Sequence, residues 1–115
     1  MYPANETAFL KVLERWRLTS PEGATLLGSN DPRLIMDLRS GYAEIQTGEA
    51  IARIRHVLCI YSLAHRLLRD TEAENKWIRE RRAELDGSSL LDVMLRGTLE
   101  DLILADEAAE GIANE

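Results

Sequence analysis

Cysteine, histidine and proline are scarce in this chain of 115 residues. A single cysteine, Cys59, has no partner for an intramolecular disulfide, cannot form a multi-cysteine zinc site, and suits a reducing compartment. The only histidines, His56 and His65, do not have the i, i+4 relation of a helical metal pair, so neither a metal nor a cofactor is expected. Three prolines and seven glycines are too few for a collagen-like or low-complexity chain. Within the most apolar segment the longest stretch free of charge and histidine runs from Val57 to Ala64, far short of the roughly 20 residues of a membrane span. The start Met1-Tyr2-Pro3-Ala4-Asn5-Glu6 lacks the basic onset and apolar run of a secretory signal, so a cytoplasmic protein without membrane contact is expected. What is present, 45% hydrophobic and 30% charged residues, suits a globular domain. A chain of this length buries roughly 60–70% of the surface it exposes when unfolded.

The net charge of −6 is unevenly placed. Up to residue 96 acids and bases nearly cancel. From Gly97 onward there is no Lys or Arg, while Glu100, Asp101, Asp106, Glu107, Glu110 and Glu115 are acidic. Such a run reads either as a solvated helix face with a frayed tail or as a segment complementary to an electropositive partner site.

Helical periodicity dominates. Ala8, Phe9, Val12, Leu13 and Trp16 make one face of a first helix over Asn5 to Arg17. Thr19 or Ser20 caps a second, with Pro21 and Glu22 in its first turn and Gly28 as its stop. Leu34, Ile35 and Leu38 mark a short third helix ending near Gly41. A long helix follows from about Glu49 to Leu68, apolar nearly all round in its middle. Thr71 to Glu74 has capping-box spacing at the start of a fifth helix bearing Trp77 and Ile78. Ser88 or Ser89 caps Leu90 to Leu95, and Thr98 opens a last helix through about Glu110. With no sustained period-two alternation the expected fold is all-α. Its parts are residues 1–46, helix-turn-helix-like; 47–70, a long central helix; and 71–115, a small C-terminal helical domain.

Leu18 to Gly41 has the small residues, Gly23 or Ala24, and the glycine-bearing turn, Gly28, of a helix-turn-helix. Its second helix offers Arg33 and Arg39 to DNA beside Asp31 and Asp37, and carboxylates oppose the counterion release that drives binding to a polyanion. Weak DNA contact through Arg33 and Arg39 is expected. A stand-alone DNA-binding regulator is the alternative reading of the whole chain.

Trp77-Ile78, a polar stretch, and then Leu85-Asp86-Gly87-Ser88-Ser89-Leu90-Leu91-Asp92-Val93-Met94-Leu95-Arg96-Gly97 resemble the C-terminal toxin-binding domain of the MbcA/ParS/Xre antitoxin family. The order of parts is similar over nearly the whole chain. The family usually has Pro before the Leu-Asp pair, where this chain has Leu90. The resemblance implies an antitoxin that neutralises a RES-domain toxin, an enzyme that consumes NAD or transfers ADP-ribose from it. The chain itself is then no enzyme, and a homodimer within a hetero-oligomer is expected, with operator DNA as a further partner.

A toxin's NAD site must present cations to a pyrophosphate, so residues from about Glu107 to Glu115 are expected to enter or rim it, with Ile112 as an apolar tip. Toxin contact is assigned to Arg79, Arg81, Arg82, Met94, Arg96, Glu107, Glu110, Gly111, Ile112, Ala113, Asn114 and Glu115. Taken one by one, Met94 reads as core and the arginines as a solvated helix end. Asp86-Gly87-Ser88-Ser89-Leu90 falls short of an acyl-carrier motif, because the Asp does not directly precede the serine. Cys59, in the apolar middle of the long helix, reads as inert packing.

Overall fold

The computed structural model describes residues 3–45 and 47–115, and among them every regular element is helical. The elements are α1 (Pro3–Arg15), α2 (Ser20–Leu26), α3 (Arg33–Ser40), α4 (Gly48–Leu68), α5 (Thr71–Arg79), a 3₁₀ turn (Ala83–Leu85), α6 (Leu90–Met94) and α7 (Leu99–Ala113). A lone antiparallel bridge between Arg82 and Ser88 stands in place of a sheet.

Local chemistry sets most boundaries. The first helix stops two residues before its expected end because Arg17 turns left-handed (φ 58°) and the Leu18 amide donates to Leu13 O at 2.8 Å. Thr19 caps α2 through a reciprocal pair with Glu22, and Thr47 caps α4. At α5 the expected capping box does not form. Asp70 is the cap, its carboxylate accepting from the Ala73 amide at 3.0 Å, while the Thr71 hydroxyl accepts from Arg15 Nη2 at 2.9 Å. Thr98 caps α7, which continues past Glu110 to Ala113.

The core is one cluster wound around α4. Ile54, Val57, Ile60 and Ala64 meet Phe9, Leu13 and Trp16 of α1 on one side and Leu102, Ala105 and Ala109 of α7 on the other. Leu90, Val93 and Met94 fill the space beneath α7. Gly23 sits in a narrow gap: a Cβ there would lie 2.7 Å from Leu13 Cδ1 and 3.1 Å from Ile35 Cδ1, so only glycine lets α2 approach α1 and α3 this closely. No described helix is long and apolar enough to cross a membrane.

Candidate functional site

The segment from Trp77 to Gly97 folds as a self-bracing loop and helix. The Arg82 guanidinium lies over the Trp77 ring at 5.5 Å, and its Nη2 donates to Trp77 O at 3.3 Å. The Arg82 amide donates to Ser88 O, closing a loop through two left-handed residues, Asp86 and Gly87. Ser89 is the cap of α6: its hydroxyl accepts from the Asp92 amide and its own amide donates to Asp92 Oδ2, each at 3.0 Å. That backbone donor, with the Ser89 hydroxyl and the nearby Arg81 and Arg96, holds the Asp92 carboxyl below the usual carboxylate range.

Three of the residues assigned to toxin contact also serve the chain's own packing. Met94 is fully buried, packed in the core, and presents nothing to a partner. Arg79 is exposed too, but its guanidinium is engaged within the chain, with Nη2 donating to Trp16 O at 2.6 Å and Nη1 to Asn75 Oδ1 at 2.7 Å, which ties α5 to the end of α1. Arg82 is spent on Trp77. Arg81 and Arg96 stay exposed, Arg96 with Asp101 3.9 Å away.

The acidic C-terminus is not a free tail: residues 107–113 are about the last two turns of α7, with Asn114 as its cap and Glu115 just beyond. Ala109 is fully buried and Ile112 half-buried against the core, and Asp106 Oδ2 lies 2.8 Å from His56 Nδ1 on α4. Ile112 is thus an internal clamp instead of an exposed tip. Helical geometry then divides the remaining side chains between two edges. On one edge stand Glu100, Leu104, Glu107, Gly111 and Glu115, all exposed, with Leu104 at 46%. That edge borders a hollow of about 340 Å³ lined by Glu84, Leu85, Ala108, Gly111, Ile112 and Glu115. The other edge carries Ile103 and Glu110, and where it meets α4, Ala113 and Asn114 share a hollow with Leu63, Arg66 and Leu67.

At the other end of the molecule both arginines of α3 are held by acids of the same chain. Arg33 pairs with Asp31, Nε to Oδ1 at 3.2 Å, which lowers the Asp31 carboxyl and raises Arg33. Arg39 Nη1 lies 3.2 Å from Glu14 Oε1. Between them the surface shows Met36 and, just past the helix, Tyr42, which is 87% exposed.

Three features had little voice in the sequence. Cys59 is exposed, not packed, because α4 leaves one face open. Partial loss of water around the thiol on this open face, with Asp106 and Glu110 nearby, raises it above the usual thiol range, so it stays protonated near neutral pH. Arg53 is buried, donating to Leu26 O at 3.4 Å and Gly97 O at 3.0 Å while Nε meets Glu49 at 2.9 Å, and so it binds the α2–α3 turn to the α6–α7 turn. The Glu49–Arg53 spacing was its one signal. Glu74 is fully buried on α5 with His65 Nδ1 at 3.2 Å, and His65 stacks on Tyr61, itself beneath Arg15. Among the described residues no group of three His, Cys, Asp or Glu is placed to hold a metal ion.

The uncharacterized protein y4oB of Sinorhizobium fredii is 30% identical over 100 residues, an alignment covering 87% of this chain and 77% of that protein. No protein-family model matches the chain, and no solved structure is significantly similar to it.

Proposed function

The chain belongs to the family of the uncharacterized protein y4oB of Sinorhizobium fredii, and from its own residues we propose that it is an antitoxin, without enzymatic activity, that binds and silences a RES-domain toxin in the cytoplasm. The observation that carries this reading is the free edge of α7. In a helix without a single Lys or Arg, Glu107, Gly111 and Glu115 stand exposed beside a hollow, next to exposed Leu104. A site that binds the pyrophosphate of NAD presents arginine or lysine in a cleft, and an acidic helix edge with one apolar residue complements it in charge and shape. Gly111 lets the opposing wall come close, since nothing lies within 4 Å of where its Cβ would be. Packing of α7 on α4 and α6, with the Gly97 carbonyl held by Arg53, sets where this edge stands.

The N-terminal helices read as a helix-turn-helix with weak DNA affinity. Gly23 gives the close crossing the motif needs, while Asp31 and Glu14 already neutralise Arg33 and Arg39. Both pairs are exposed and cost little to break, but the two carboxylates stay beside the arginines and oppose a polyanion.

The test begins with the neighbouring reading frames, where a RES-type gene favours the antitoxin and its absence the regulator, and continues with reconstitution of the chain with that gene's product. The antitoxin reading expects a stable complex and loss of NAD turnover at stoichiometric amounts. It fails if turnover persists in saturating chain, or if the chain turns over NAD alone. Tight, salt-sensitive operator binding by the isolated chain, lost on Arg33→Ala, would favour the regulator.

A further inference from the structure

Between the end of α1 and α5 lies a hollow of about 330 Å³ lined by Arg17, Glu72, Asn75, Lys76 and Arg79. Glu72, Asn75, Lys76 and Arg79 share one face of α5 by their helical spacing, while Arg17 follows the last turn of α1. Three of the lining side chains are cations and one is an acid, a local charge of +2 in a chain whose net charge is −6. Each cation is presented differently. Arg79 is held in place: Nη1 donates to Asn75 O at 3.3 Å and to Asn75 Oδ1 at 2.7 Å, and Nη2 to Trp16 O at 2.6 Å. Its Nε–H has no partner among the described residues. Asn75, itself buried, donates to Arg15 O at 2.7 Å, so the carbonyls at the end of α1, which would repel an anion, are already bonded. Lys76 is exposed and takes part in no ion pair among the described residues. Arg17 holds a left-handed conformation (φ 58°), the place at a helix end that glycine ordinarily takes, and its guanidinium reaches across to Glu72 on α5.

We propose that this hollow binds the phosphate monoester of a small molecule. Such a group carries about −1.5 to −2 charges at neutral pH and three strong acceptor oxygens. That charge answers the +2 of the hollow, whereas a carboxylate or a backbone phosphodiester, each singly charged, leaves one cation unanswered. The donors are of the kinds a phosphate takes: a planar guanidinium fixed by its other bonds in Arg79, and a mobile point charge in Lys76. Glu72 is the competitor. Its pair with Arg17 is exposed on both sides, and exposed pairs are weak, so an incoming phosphate displaces the carboxylate from Arg17 at little cost. Arginine at the left-handed position then has a use that glycine, the easier residue for the turn, could not supply. No residue of α7 lines the hollow, so the inference stands apart from the antitoxin reading.

The experiment is titration of the full chain with inorganic phosphate near neutral pH, followed by amide NMR shifts, against sodium chloride and sodium acetate at equal ionic strength. Saturable shifts are expected at Arg17, Asn75, Lys76 and Arg79, with a Kd of roughly millimolar for so small and open a ligand site. Lys76→Gln and Arg17→Gly are each expected to weaken binding about three- to tenfold. Arg17→Gly does so with an equal or higher thermal midpoint, because glycine relieves the left-handed residue, so lost affinity cannot be put down to lost folding. Glu72→Gln, which removes the competing acid, is expected to tighten binding. Shifts that do not saturate, acetate binding as tightly as phosphate, or affinity unmoved by Lys76→Gln and Glu72→Gln would each overturn the proposal. Duplex DNA binding more tightly than phosphate through the same three cations would overturn the monoester assignment. Should Arg17→Gly fail to fold, by circular dichroism, Lys76→Gln on the exposed face carries the test.

Discussion

Arg53 and Gly28 are joined by a single steric fact. Gly28 holds a left-handed conformation (φ 82°), and a Cβ there would stand 2.8 Å from Arg53 Cζ, on the guanidinium that binds Leu26 O and Gly97 O. Gly28→Ala is expected to cost about 1–3 kcal/mol from backbone strain and displacement of that guanidinium. Arg53→Ala is expected to cost roughly 2–4 kcal/mol through two lost carbonyl bonds and a void. In urea unfolding the double variant should cost less than the sum, because removing the arginine relieves the clash; strict additivity would show the contact to be unimportant. Asp92 offers a second test. Its carboxyl is depressed in the folded state, so the stabilisation is complete above the unfolded value of about 3.9 and is lost as pH falls through the lower folded value. The stability gap between wild type and Asp92→Ala, about 1 kcal/mol at neutral pH from the capping box, should therefore shrink below pH 4, as read by denaturation midpoints across pH.

Elements were legible in the sequence to the extent that local chemistry defines them. Thr19 or Ser20, Ser88 or Ser89, Thr98 and the apolar stripe of α4 announced three caps and the central helix; the structure selects Thr19 and Ser89, each by a reciprocal pair with an acid three residues on. The α5 cap was misplaced because Asp70 and Thr71 are both competent, and only Arg15, distant in sequence, claims the Thr71 hydroxyl. The C-terminal run read as a helix only to about Glu110, because its acids conceal the buried stripe that carries it further. Leu102 supplies the buried area, while Ala105 and Ala109 bury little each yet let α7 lie close along α4. Two outcomes follow for α7. Truncation after Ala105 removes Ala109, the Ile112 clamp and the His56–Asp106 link, and should destabilise by on the order of 3 kcal/mol, seen as a lower thermal midpoint. Gly111→Ala, with open space at its Cβ, should stabilise by up to about 1 kcal/mol; a loss instead would mean that the helix does not extend through this turn.

For the whole molecule, α4 divides the labour. It carries the N-terminal helices on α1, braces the Trp77 segment through α5, and supports α7, whose two edges look in different directions. The residues expected to touch a toxin were drawn from one stretch of sequence, and the fold distributes them: Met94, Arg79, Arg82 and Ile112 hold the scaffold, while Glu107, Gly111 and Glu115 are left on its open edge. Met94 already read as core from its apolar neighbours, but no pattern in the sequence could separate Ile112 from Glu107 and Gly111, since that separation comes from which side of α7 meets the core. The most direct test is NAD turnover by the RES-domain toxin in the presence of the Glu107→Lys, Gly111→Arg double variant, alongside a binding assay for the complex and a check of helicity. The account predicts a folded variant that still binds the toxin but leaves much of its NAD turnover intact, with the defect larger at low salt, where exposed charges are least screened. Inhibition equal to that of the wild type by a folded variant would contradict it and remove the α7 edge from the blocking role.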